Sequence, residues 1–112
     1  MSQAAAVLFL PAHGSRGAAQ PASVLHLGNA TLVRLELETP TAEASTQWDV
    51  RISDAGGSVF TAASLRPQQA GVVSYVVAEV QASQLRPKTY RVTLSPQATV
   101  GAAFSWDLQV AQ

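Results

Sequence analysis

The residues able to ligate a metal or move a proton are few: two histidines, His13 and His26, and seven Asp and Glu residues. A metal site would need both imidazoles with a carboxylate such as Glu36 or Asp107. Their spacing fits no ligand motif, so no metal or other cofactor is expected. His13 reads as a solvated loop residue and His26 as a residue on a strand's polar face. A Ser–His–Asp hydrolase needs its serine raised on a strained turn, and no serine lies in a Gly-x-Ser-x-Gly elbow. His13-Gly14-Ser15 is a loop tripeptide. Glu36 and Glu38 would stand about 7 Å apart on one strand face, within reach of glycosidase chemistry. A solvated strand face accounts for them better. The seven glycines form neither a Gly-x-Gly-x-x-Gly fingerprint nor a phosphate loop. No catalytic, cofactor-binding or metal-binding residues are therefore assigned, and the chain is read as non-enzymatic.

Composition narrows the partners. Seven Lys and Arg balance seven Asp and Glu, so the formal net charge is zero. A nucleic-acid binder needs clustered cations to displace phosphate counterions. Here Arg34 and Arg51 alternate with Glu36 and Asp49, which suggests cross-strand ion pairs. No nucleic-acid partner is expected. With no cysteine, the chain has no disulfide, thiolate zinc site or thiol nucleophile. The apolar run Ala4–Pro11 is about half the roughly 20 residues a membrane helix needs, and no Lys or Arg precedes it as in a signal peptide. The segment is thus not expected to span a membrane. At 112 residues the chain suits one domain, 1–112, burying roughly 65% of the unfolded surface.

The elements that would position any site are strands. Apolar residues recur with period two, which gives a strand one buried and one wet face. Thr31–Glu38 points Val33, Leu35 and Leu37 one way and Arg34, Glu36 and Glu38 the other. Gln47–Ser53 sets Trp48, Val50 and Ile52 against Asp49, Arg51 and Ser53. Lys88–Ser95 buries Tyr90, Val92 and Leu94. Ala103–Val110 buries Phe104, Trp106, Leu108 and Val110. The core thus centres on Leu35, Leu37, Trp48, Val50, Ile52, Tyr90, Val92, Leu94, Phe104, Trp106 and Leu108. Ala5–Leu10, Val24–Leu27 and Ser58–Ala63 are further strands. The last pairs with 47–53 as a hairpin across Asp54-Ala55-Gly56-Gly57, whose glycines supply positive φ. Val72–Val80 is apolar on both faces, so it is either central and covered or exposed and sticky.

Pro11–Pro21, Thr39–Thr46 and Leu65–Gly71 read as loops, and the first two as surfaces for a ligand or partner. Gln81–Leu85 suits a single helical or 3₁₀ turn. Tyr90 follows such a turn, where sandwich domains place a tyrosine that bonds back to the preceding backbone. The whole is an all-β, immunoglobulin-like sandwich of seven to eight mostly antiparallel strands.

The order of these motifs resembles the extracytoplasmic C-terminal domain of bacterial zinc-finger, anti-sigma-factor-like membrane proteins. The resemblance runs through Leu8–Gly17 with its Arg16-Gly17, Leu35-Glu36-Leu37, and the Asp54-Ala55-Gly56-Gly57 hairpin. It continues through Leu85…Pro87…Tyr90-x-Val92-x-Leu94 and Phe104-x-Trp106-x-Leu108-x-Val110. It implies a sensing or protein-interaction domain in the bacterial periplasm or cell envelope, carried by a membrane-anchored regulator. The cytosolic zinc-binding half of such a protein has no counterpart in these residues. A different expectation is a structural module of adhesin or filament type, with a weak homo-oligomer formed through Val72–Val80.

Overall fold

The computed structural model describes residues 5–11, 23–39, 47–97 and 104–111. Nine strands lie among them: β1 (Ala5–Leu10), β2 (Ser23–His26), β3 (Leu32–Thr39), β4 (Trp48–Asp54), β5 (Gly57–Leu65), β6 (Gln68–Ala70), β7 (Val73–Gln81), β8 (Thr89–Pro96) and β9 (Phe104–Ala111). They form two sheets, β1-β3-β7-β6 and β2-β9-β8-β4-β5. All pairings are antiparallel except β1 with β3 and β2 with β9. The architecture is all-β, and two sheets closing on one core make it a sandwich.

The period-two reading holds strand by strand. Val33, Leu35 and Leu37 are buried on β3, and Trp48, Val50 and Ile52 on β4. Tyr90, Val92 and Leu94 of β8 face Trp106, Leu108 and Val110 of the neighbouring β9 in the same interior. Phe104 departs from this set: at the start of β9 it is only half-buried, because the strand begins at the rim of the core. Its ring still packs 6.3 Å from that of Trp48 and 6.5 Å from that of Trp106.

Two elements correct the sequence reading. The segment 65–71, read as a loop, contains β6, whose Ala70 pairs with Val73 across Gly71-Val72. Gly71 has φ +64, the conformation a two-residue type II′ hairpin demands at its first loop position. Val72 therefore leaves the strand and stands at the turn tip, 89% exposed. In the 54–57 hairpin only Gly57 has positive φ, at +123; Gly56 instead donates its N–H to Asp54 Oδ1 at 2.7 Å. The expected 3₁₀ turn is present at Ala82–Gln84. Most of Pro11–Pro21, with His13, and of Thr39–Thr46, both expected as loops, lies outside the described residues.

Tyr90 makes the expected corner. Its hydroxyl donates to the carbonyl of Arg86 at 3.0 Å. Such a bond contributes about 0.5–1.5 kcal/mol net and holds the 3₁₀ connection against β8. Lys88 Nζ lies 5.7 Å from the Tyr90 ring centre, a cation–π distance.

Three of the four sheet edges are blunted. β5 ends the five-stranded sheet and carries two register irregularities against β4, which twist its edge. β6 is three residues long and β2 four.

Candidate binding surfaces

The outward residues of β4, β5 and β8 meet in registered rows. Arg51 stands directly opposite Thr61 of β5 and Thr93 of β8. Asp49, two residues back on the same face, stands opposite Ser95. Because Thr61, Ala63, Thr93 and Ser95 are small, the sheet surface is recessed here. The depression holds about 370 Å³ and is lined by these residues with Asp49 and Arg51.

One end of the depression is pinned by a bulge. Trp48 pairs with Leu65 and Val50 with Ala62, so Ala63 and Ser64 together oppose Asp49. Ser64 has φ +60, a left-handed conformation that residues with a Cβ seldom adopt. Its neighbours hold it there. The Ser64 N–H donates to Asp49 Oδ1 at 3.0 Å, and the Gln97 side-chain amide donates to Asp49 Oδ1 and to Ser64 Oγ, each at 2.9 Å. Strained residues and bulges gather at binding and catalytic sites.

This surface offers a guanidinium, hydroxyls and a carboxylate, which are groups for recognition. Among the described residues a Ser–His–Asp arrangement is not assembled on it. His26 is exposed on β2, at the opposite edge of the sheet from β5, with β9, β8 and β4 between them. Among the described residues no three His, Asp or Glu side chains converge as metal ligands.

The second surface is the outer face of the four-stranded sheet. Phe9, Glu36 and Val77 form one row across β1, β3 and β7; Val7, Arg34 and Glu79 form the next. Phe9 is 41% exposed and Val7 57%. Arg34 Nε reaches Glu36 at 3.1 Å and its Nη1 reaches Glu79 at 3.7 Å. The ion pairs expected between strands 31–38 and 47–53, joining Arg34 and Glu36 to Asp49 and Arg51, are thus corrected: β3 and β4 belong to different sheets, and Arg34 finds its partners on β3 and β7. The two glutamates weighed for glycosidase chemistry are likewise face residues. Glu36 is taken by Arg34, and Glu38 lies opposite Tyr75.

A third ionic contact joins the β4–β5 hairpin to the start of β8. Lys88 Nζ lies 2.7 Å from Asp54 Oδ2. The hydrogen bond from Lys88, aided by the Gly56 N–H, holds the Asp54 carboxyl below its ordinary value of 3.8, and the bond to Asp54 raises Lys88 above 10.5. For Asp54 the folded value is the lower one. Its contribution to stability is present above 3.8 and is lost as the pH falls through the depressed value. For Lys88 the folded value is the higher one. Its contribution is present below 10.5 and is lost as the pH rises through the raised value. We expect Asp54→Asn to flatten this part of the acid limb, read as urea midpoints between about pH 2 and 5. Parallel profiles for the two proteins would remove the pair from the account.

No family model matches the chain, and no curated protein matches it significantly. Among solved structures, a cysteine protease inhibitor from Entamoeba histolytica superposes with a TM-score of 0.49 at 11% identity, covering 95% of this chain and 96% of that one. A likeness so distant says nothing about what this chain binds.

Sequence reasoning placed Arg51 on a wet face but gave it an ion-pair partner. Its setting between Thr61 and Thr93 could not be counted. The regular register of the hairpin sets Arg51 opposite Phe60, and the irregularity between Ile52 and Ser53 brings Thr61 there instead. Thr93 is 42 positions away and reaches Arg51 through the β4–β8 pairing. The Ser64–Asp49–Gln97 network has no sequence signal, since it depends on the bulge.

Proposed function

We propose that this domain is a non-enzymatic interaction module, placed outside the cytoplasmic membrane as the outer part of an anti-sigma-factor-like membrane regulator. The regulatory placement is supported by the motif resemblance. The observation that supports an interaction role is the mixed face of the four-stranded sheet, where exposed Phe9 and Val7 flank the Arg34, Glu36 and Glu79 cluster. Apolar side chains beside fixed charges are what a protein-contact surface offers: area to bury and a pattern to orient it.

The test is made in the cell that carries the protein. Protease added to spheroplasts should cleave the domain, and deleting the domain should alter transcription from the partner sigma factor's promoters. Phe9→Asp should reproduce the deletion's effect, since an exposed side chain can change without unfolding the core. Protection from protease, or transcription indifferent to the deletion, would overturn the regulatory reading.

The assembly reading rests on Val72–Val80 as a sticky edge. β7, however, pairs with β3 along Ser74–Gln81 and with β6 at Val73–Tyr75. Beyond β6, its flank carries the exposed charge of Glu79, which disfavours strand addition. Light scattering should therefore give a monomer near 11.7 kDa across concentrations. A dimer abolished by Val77→Lys would favour assembly instead.

A further inference from the structure

We infer that Arg51, with the hydroxyls of Thr61 and Thr93, forms a binding site for a carboxylate borne by a peptide. The inference stands on the five-stranded sheet and does not depend on the face invoked above.

The geometry carries it. Thr61, Arg51 and Thr93 are register partners across three adjacent strands, so all three side chains leave the same face of the sheet. Strands lie about 4.8 Å apart, which sets a threonine side chain on either side of the guanidinium stem. The recess of about 370 Å³ leaves room for a ligand group beside them. The strand carrying Arg51 is hydrogen-bonded on both sides, and the recess is braced at one end by the Ser64–Asp49–Gln97 bonds, so the backbone that carries the site is held in place.

Arg51 also differs from the cations that hold a carboxylate: Arg34, Lys88 and Arg91 do so at 3.1, 2.7 and 3.5 Å respectively. Arg51 is exposed and makes no ion pair with a described residue. Arg66 and Arg86 likewise make no ion pair with a described residue, but neither lines this recess. A guanidinium presents a planar fork of donors that matches a carboxylate's two oxygens, and flanking hydroxyls can donate to the same oxygens.

The choice of ligand follows from Asp49. Its carboxylate lies on the same face, roughly 7 Å along the strand. With Arg51 it makes the site formally neutral, which favours a singly charged carboxylate over a doubly charged phosphate. Asp49 Oδ1 is occupied by Ser64 and Gln97, which leaves Oδ2 turned to other donors. A peptide supplies such a donor in its own N–H, one or two residues from an acidic side chain or a C-terminal carboxylate.

The experiment is a ¹H–¹⁵N NMR titration of the 112-residue chain. N-acetylglycine supplies a terminal carboxylate, N-acetylglutamate α-amide a side-chain one, and inorganic phosphate the competing anion. At least one carboxylate should move the Arg51, Thr61 and Thr93 amides saturably, and which of the two binds tighter identifies the source. Arg51→Lys, which keeps the charge and loses the fork, should weaken binding roughly tenfold, the equivalent of one charge-assisted hydrogen bond. Arg51→Gln should abolish it while the remaining spectrum is unchanged. The inference is overturned by the absence of saturable shifts, by shifts that survive Arg51→Gln, or by phosphate binding tighter than either carboxylate. None of these outcomes bears on transcription or protease access, so the interaction-module reading is tested separately.

Discussion

Trp48→Ala should lower the unfolding free energy by about 3–5 kcal/mol, the usual cost of removing a buried indole from a core. The ring is 1% exposed and lies on β4, between β5 and β8, with Phe104 at 6.3 Å. An indole of this kind buries about 150–250 Å², or roughly 4–6 kcal/mol of transfer free energy. Domains of this size have about 5–15 kcal/mol in total, so the variant should sit near the edge of folding. Trp48→Phe should recover most of the loss. The Trp48 Nε1–H has no hydrogen-bond partner among the described residues, so phenylalanine removes atoms without orphaning an acceptor there. Urea unfolding of the three proteins measures this. A Trp48→Ala cost below about 1 kcal/mol would mean the ring is not a core residue.

Trp106 should give a different ratio. It is 5% exposed, and Trp106→Ala should again cost about 3–5 kcal/mol. Here, however, the indole N–H donates to the Pro11 carbonyl at 2.9 Å. Pro11 directly follows β1 in the four-stranded sheet, whereas Trp106 belongs to β9 in the other, so this bond ties the two sheets together. Trp106→Phe removes that bond, and because Pro11 is exposed its carbonyl can turn to water, so the cost beyond the packing change is about 0.5–1.5 kcal/mol. Hydrogen exchange gives the sharper readout. Amides of Ala5–Leu10 should exchange faster in Trp106→Phe than in Trp48→Phe. Equal rates would mean the bond does not hold β1.

The two tryptophans illustrate what could be read in advance. Both follow from alternation: in 47–53 and 103–110, period two points each indole inward, and a one-residue slip would turn the whole apolar set to water. The same argument locates Leu35, Leu37, Val92 and Leu94, all fully buried. The tyrosine corner was legible because its parts are local, four residues apart. Which indole finds a hydrogen-bond partner was not legible. Pro11 and Trp106 are 95 positions apart and meet only when the sheets close.

Arg51 marks the same boundary for the candidate site. Alternation put it on the wet side of β4, and nothing nearby said what would stand beside it. Arg34 and Arg51 have the same local pattern, an arginine two residues from an acid, yet they end on different sheets. One is held by Glu36 and Glu79, and the other lies in a recess of small side chains.

By itself, then, the sequence determined the faces: which residues go inside, where the hairpin at 54–57 turns, and that the product is an all-β sandwich. Those properties follow from the pleat and from turn chemistry, which act over a few residues. Only the tertiary structure decided the partners: the parallel pairing of β1 with β3, the division of β3 and β4 between sheets, the short β6 that accompanies β7, and the Thr61–Arg51–Thr93 row. Pairing between distant strands depends on which apolar faces close together most completely, a property of the whole chain. His26 and the carboxylates Glu36 and Glu38 that first suggested chemistry are kept apart by that pairing, and an arginine between two threonines takes their place as the feature to test.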